Sequence, residues 1–316
     1  MPRFIAKRLL LLIPLLLGVS LIVFLLLRMG DNDPAMSFLR LSGIPPTDTA
    51  LAEARETLGL DRPLAAQYLS WLWRAVRLDF GRSYVTGAPV TEHLLHYLPN
   101  TLYLAAVSIF LTVALSLPLG ILAAAFKGRW PDTLSRILAY VGVSTPSFWL
   151  GFVMILLFSA KLGWLPSMGK GGLAHVIMPA FSVALMSMCI NMRLIRGSML
   201  EQMSARHILY ARIRGVTEGR IIGRHVLKNS LIPLVTALGM HIGEILGGAV
   251  VAEVVFSWPG VGRYAVSAIY NRDFPVMQCF ILMMTVIFVL CNLATDILYA
   301  SIDPRIRLEQ EGAANA

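Results

Sequence analysis

Charge is scarce in this chain. Asp, Glu, Lys and Arg make up 14% of its 316 residues, against about 25% in a soluble globular domain, so lipid is the first solvent to consider. Cysteine is scarcer still. Cys189, Cys279 and Cys291 all fall inside apolar runs without CxxC spacing, which gives neither a disulfide framework nor a zinc site. A phosphate-binding loop is missing. The nearest stretch, Gly163–Gly171, has the wrong spacing and lacks Ser or Thr after Lys170, so no cofactor is expected on this chain and ATP would be handled elsewhere. HExxH and GxSxG are absent too, and the chain is not expected to be an enzyme by itself. A net charge of +9 would suit nucleic acid in a polar protein. In so apolar a chain it reflects arginines kept on the cytoplasmic side of a membrane, and no nucleic-acid partner is expected.

Apolar residues are plentiful at 57%. They gather in six runs, approximately Leu9–Leu27, Thr101–Phe126, Leu134–Ala160, Ala174–Leu194, Leu231–Val255 and Val276–Ala300, each long enough to cross a hydrocarbon core of about 30 Å. Open strands cannot cross lipid because their backbone groups go unpaired, and the runs are too long for barrel strands. The expected fold class is therefore an all-α, multi-pass membrane protein with six transmembrane helices. The first run has the roughly 20 residues of a span rather than the 7 to 15 of a signal core, and Arg28-Met29-Gly30-Asp31 offers no small-residue cleavage site.

Lysine and arginine mark the sides. Arg3, Lys7 and Arg8 precede the first run, Lys127, Arg129 and Arg136 separate the second from the third, and Arg305 and Arg307 follow the sixth. The largest cluster, from Arg193 to Lys228, separates the fourth from the fifth. All fall on one side, so both termini are expected in the cytoplasm. The expected division is an N-terminal span over 1–28, an external domain over 29–100, a five-helix core over 101–302 and a cytoplasmic tail over 303–316. In the external domain Thr47 or Asp48 is placed to cap a short helix through Leu58, and Ala65–Val76, with Tyr68, Trp71 and Trp73, patterns as an amphipathic interfacial helix.

Two segments carry candidate function. Within 204–229, Ala205–Arg214 contains no Gly or Pro, ends at Gly215 as a C-cap, and is followed by a basic helix from Glu218 to about Lys228. Charge alone leaves this unit between a docking surface and a topological anchor. In the fifth run Gly239, Gly243 and Gly247 share one side at a spacing that lets helix backbones approach. His241, Glu244 and Gly248 share the other side, where an ionisable pair is costly unless it faces water or a partner. The pair is read as lining a polar pathway and as a weak, transient metal site, against the alternative that the two side chains only bond each other or a partner subunit. Met240 and Cys279 are placed with the lining, although Met and Cys more often pack than ligate. Thr285, Asn292, Asp296 and Tyr299 share a face of the sixth run, suited to lining or to partner contact.

The chain resembles the peptide and nickel permeases of ATP-binding-cassette importers over nearly its whole length. The likeness rests on Gly59-Leu60-Asp61-Arg62-Pro63-Leu64 with Gln67 and Tyr68, on Asp79-Phe80-Gly81-Arg82-Ser83, on Pro146-Ser147-Phe148-Trp149-Leu150-Gly151 and on Trp164-Leu165-Pro166. It continues through Arg193–Leu200, Ala211-Arg212-Ile213-Arg214-Gly215, Arg224–Asn229, Phe256–Arg263, Arg272-Asp273-Phe274-Pro275 and Asp303–Arg307. The resemblance implies a type I importer permease in a bacterial inner membrane. It implies a second, homologous permease, two cytoplasmic ATPases carrying ATP and Mg, and an external solute-binding protein. It makes the segment with Ala205, Ala211, Arg212, Arg214, Gly215 and Arg224 the coupling helix that fits a groove of the ATPase. The general motif has Glu-Ala-Ala before the glycine, and Leu209-Tyr210-Ala211 keeps only its last residue, so no glutamate contact is implied. Within the family, Gly239–Glu244 and Tyr264–Ile269 are most like the nickel permeases, which implies nickel or a nickel chelate as cargo, with peptide, glutathione or metallophore as the alternative.

Overall fold

The computed structural model describes residues 2–29 and 33–302; Asp31 and the 303–316 tail, with its Asp303–Arg307 motif, lie outside them. The described residues are almost entirely helical: α1 (Pro2–Met29), α2 (Pro34–Leu41), α3 (Asp48–Leu58), α4 (Leu64–Val76), α5 (Val90–Ala125), α6 (Trp130–Ser144), α7 (Ser147–Met154), α8 (Leu173–Met203), α9 (Arg206–Ile213), α10 (Glu218–Arg220), α11 (Leu227–Val255), α12 (Val261–Asn271) and α13 (Phe274–Ile302). Five of these are long and apolar enough to cross a membrane, and α6 with α7 makes a sixth crossing if the bent pair is one span. The chain divides into two compact units, Met1–Thr101 with Pro259–Val289 and Leu102–Trp258 with Leu290–Ala316.

In the first unit the short helices are set by local chemistry. Thr47 Oγ1 accepts from the Ala50 amide at the start of α3, and Gly59 closes the helix at φ +65°, a conformation that costs glycine little. Gln67 Nε2 donates to the carbonyls of Leu60 and Arg62 at 2.9 and 2.8 Å, which holds the turn between α3 and α4. α4 buries Trp71 and Ala75 against Phe24 of α1, and the Ser20 and Tyr68 hydroxyls meet at 2.9 Å. Two of the sequence motifs also meet: Ser83 Oγ donates to Asp273 Oδ2 at 2.5 Å, tying the loop after α4 to the start of α13. α12 was not expected from the hydrophobic runs. Its amphipathic length packs Val261 and Ala268 against Val90, Leu94, Val276 and Cys279, and Thr101 Oγ1 accepts from its first amide, Val261 N, at 2.9 Å.

The second unit is built around α8, which packs against α6, α7 and α11. α8 runs to Met203, well past the expected end at Leu194. The expected unbroken span Leu134–Ala160 is instead bent by 105° between α6 and α7. Thr145 is extended (φ −90°, ψ 118°) ahead of Pro146. Proline both removes an amide donor and pushes the preceding residue out of the helical region. After α7 the chain widens into a π-helical segment, Ile155–Lys161. The basic helix expected as a separate element over 218–228 is not separate either. α10 passes through a π-helical segment, Ile221–Val226, directly into α11.

An ion pair holds α6 to α8. The Asp132 side chain is 2% exposed and takes Arg196 in a two-pronged contact, Nε to Oδ1 at 2.5 Å and Nη2 to Oδ2 at 3.0 Å. The Gly128 amide donates to Oδ2 at 2.9 Å, and Arg136 stands 3.8 Å from Oδ1. One turn before the bend, a Cβ on Gly142 would collide with Cys189 Sγ of α8, so only glycine permits the approach. By contrast a Cβ on Gly247 meets nothing within 4 Å. Gly142→Ala should therefore destabilise the chain by about 1–3 kcal/mol through overpacking, whereas Gly247→Ala should be neutral or slightly stabilising. Thermal unfolding of the two variants in detergent checks this contrast.

Candidate functional site

His241 and Glu244 lie one turn apart on α11, and the structure joins them: His241 Nδ1 and Glu244 Oε2 are 2.7 Å apart. Their exposures differ, with 6% of the His241 side chain accessible against 48% for Glu244. The other ring nitrogen, Nε2, faces Asn191 Oδ1 of α8 at 3.2 Å, and Ser187 Oγ donates to Glu244 Oε2 at 3.4 Å. Asn191 is fully buried, and its Nδ2 has no partner in this orientation. A neutral imidazole that donates from Nδ1 to the carboxylate leaves Nε2 an acceptor. The Asn191 amide turned over then offers Nδ2 to it. Both ring nitrogens are thus engaged by protein groups.

Glu244 and Gly248 border a cavity of about 300 Å³ at the α6–α7 bend, with Ser144, Thr145, Ser147, Ser182 and Ser187 in its wall. Two of these hydroxyls already donate inward: Thr145 Oγ1 to Val141 O at 2.7 Å and Ser182 Oγ to Pro179 O at 2.8 Å. They present lone pairs to the cavity, beside a carboxylate. The wall is therefore rich in acceptors and suited to a hydrogen-bond donor or a cation.

Other expected lining residues lie elsewhere. Met240 is 75% exposed and is not among the residues that line the cavity. Cys279 is 4% exposed in the apolar cluster of Val90, Leu94, Val261 and Val276, a core position rather than a lining one, because α12 packs over that part of α13. Along the glycine stripe, a Cβ on Gly239 would collide with Thr295 of α13, whereas one on Gly247 would meet nothing within 4 Å among the described residues; Gly243 stands between them on α11. Thr285 donates to its own helix, and the side chains of Asp296 and Tyr299 lie outside the described ones. Among the described residues no cluster of three His, Cys, Asp or Glu stands ready for a metal ion. Asn191 and Ser187 were missed. Their only sequence signal is a polar residue inside a run whose sulfur content draws the eye.

The 204–229 region forms a small surface element. Ala205 is the N-cap of α9, Arg214 closes it, and Gly215 turns the chain at φ +77°. Arg212 grips Glu218 in a two-pronged pair at 2.7 and 3.3 Å, and this contact raises the Arg212 pKa above its ordinary value. Ile208 is buried and Ala211 leans inward, packing with Ile195, Met199, Ile221 and Val226. Arg214, Gly215 and Arg224 are exposed. So are three apolar side chains that the charge pattern had hidden, Leu209, Tyr210 and Ile213, at 58, 66 and 72%.

Comparison with known proteins places this architecture. The family described as binding-protein-dependent transport system inner membrane component matches residues 116–308, and its N-terminal companion matches residues 1–105. The chain belongs to this family. It is a multi-pass permease of the bacterial inner membrane, a component of an ATP-binding-cassette importer whose ATPase is on separate chains. This permease is 40% identical to the glutathione transport system permease protein GsiC of Escherichia coli K12 over 97% of its own length and 99% of that protein. It matches the protein of the same name in Shigella dysenteriae serotype 1 to the same extent. A chain of the inward-facing MetNI methionine ABC transporter shares its fold, with a TM-score of 0.57 at 21% identity over 67% of this permease and 96% of that chain.

The buried amide and the imidazole of the permease should act as a unit. Asn191→Ala and His241→Ala should each destabilise it by about 1–3 kcal/mol, since each leaves a buried polar partner unsatisfied. The double variant should cost less than the sum, with a coupling of about 0.5–3 kcal/mol, read from a double-mutant cycle of thermal unfolding.

Proposed function

We propose that this permease lines half of the pathway for a small, amine-bearing, peptide-like solute of the glutathione class, and that the cavity beside Glu244 is a point on that pathway. The observation that carries the reading is the acceptor-rich wall at the α6–α7 bend. A carboxylate flanked by hydroxyl lone pairs favours an ammonium group, a feature that free peptides and glutathione share. Discontinuous helices are where membrane transporters can expose polar groups without leaving backbone unpaired in lipid. The relatives named as glutathione permeases, alike over the whole chain, support the same cargo class.

Nickel is the weaker reading. The likeness of Gly239–Glu244 and Tyr264–Ile269 to nickel permeases had implied it, with His241 and Glu244 as a weak metal site, but the imidazole that would bind nickel has both nitrogens engaged by Glu244 and Asn191. In the proposed assembly the chain pairs with a second, homologous permease, and both its termini face the cytoplasm. Two ATPase subunits hold ATP and Mg and dock on α9. The exposed Leu209, Tyr210 and Ile213 beside Arg214 give that docking an apolar centre with a basic rim.

The test is ATP hydrolysis by the reconstituted importer with its binding protein. Reduced glutathione or a short peptide should stimulate hydrolysis and nickel should not, and Glu244→Gln should cut the cargo-stimulated rate at least about tenfold, the effect of losing one charge-assisted contact. Stimulation by nickel alone would replace this reading.

A further inference from the structure

The first unit holds a second cavity, of about 400 Å³, whose chemistry is the reverse of the one beside Glu244. Three guanidinium groups line it: Arg28 at the end of α1, Arg74 near the end of α4, and Arg82 in the loop that follows. Among the described residues no Asp or Glu is in its lining. Asp33, whose charge reaches Arg28, is hydrogen-bonded by Arg55 at 2.7 Å and by the Ala35 amide at 2.9 Å. Asp273 lies outside the lining and accepts from the Ser83 hydroxyl through Oδ2, while its Oδ1 is buried without a partner.

Two donors in this cavity are buried without an acceptor, Arg28 Nη1 and Trp71 Nε1, and Trp71 as a whole is only 7% exposed. Burial pushes the Tyr84 phenol up to about 12, so at neutral pH it too is a donor. A buried cationic donor that has left water without finding an acceptor is costly. A single tetrahedral anion would satisfy several such donors at once.

The surroundings say which anion. Arg28 follows immediately on the apolar run that ends at Leu27. α4 carries a second apolar stripe on its outer side, Leu69, Trp73 and Val76, at 63, 60 and 72% exposure. Arg77 lies over the Trp73 ring with its Cζ 4.3 Å from the centroid. A helix buried on one side, apolar on the other, and bordered by Trp and Arg is built to lie in the headgroup region of a bilayer. We propose that this cavity binds the phosphate of an anionic phospholipid, with Arg28, Arg74 and the Trp71 indole as its donors and the outer stripe of α4 against the acyl chains.

The test uses the assembled transporter in nanodiscs of phosphatidylethanolamine, titrated with phosphatidylglycerol and read by retained lipid in native mass spectrometry and by Trp fluorescence. Arg28→Gln and Arg74→Gln should each weaken phosphatidylglycerol binding about tenfold. Arg62→Gln, which removes the same charge outside the cavity, should leave it unchanged. Arg74 is exposed, so its variant reports even if replacing Arg28 impairs folding. Equal binding by wild type, Arg74→Gln and Arg62→Gln would overturn the proposal. So would displacement of the lipid by millimolar inorganic phosphate or reduced glutathione, since the site would then serve a soluble anion.

Discussion

The second unit depends on neutralising one buried carboxylate. Asp132 sits at the first turn of α6 with 2% of its side chain exposed, and an uncompensated charge there would be prohibitive. Arg196 supplies a planar, two-pronged partner from α8, and the Gly128 amide takes part of what remains. That fixes one end of α6 against α8. Gly142 then lets the far end come close to Cys189, and the chain reaches Thr145 and Pro146 already pinned to α8. Beyond the bend, a Cβ on Gly151 would stand 3.0 Å from Val255 Cγ1, so α7 lies against the end of α11. The cavity lies where the α6–α7 bend meets α8 and α11.

The same α8 carries Ser187 and Asn191, which hold Glu244 and His241, then Arg196, and ends at the cap of α9. On the proposed function this is the route of coupling. On that proposal a displacement of α9 by a docked ATPase would be passed along α8 to the residues that orient the cavity's carboxylate. The buried cluster of Ile195, Met199, Ile208, Ile221 and Val226 keeps α9 from sliding independently of that helix.

Much of the helical plan was legible because lipid imposes a simple rule, long apolar runs, and local caps such as Thr47 and Gly59 are chosen by backbone geometry alone. The bend was not legible. Pro14, Pro179 and Pro233 all lie inside continuous helices, so Pro146 by itself does not say that its helix breaks. What decides is whether neighbouring helices reward the broken form, and that is a tertiary fact. The pairing of His241 with Glu244 follows from a spacing of three residues, but Asn191 is 50 positions away and no pattern links it. The glycine stripe shows the same divide: periodicity finds a face, yet only the packed structure distinguishes Gly239, where a Cβ would collide with Thr295, from Gly247, where it would meet nothing within 4 Å among the described residues.

The central claim is that the cavity beside Glu244 lies on the transport pathway and changes its access with the nucleotide state. The direct measurement is reaction of a membrane-impermeant thiol reagent with a cysteine at Ser144, in a background with Cys189, Cys279 and Cys291 replaced, in the reconstituted importer. The side from which Ser144→Cys is modified should switch between nucleotide-free and ATP-trapped complexes. Modification from the same side at the same rate in both states would contradict the account.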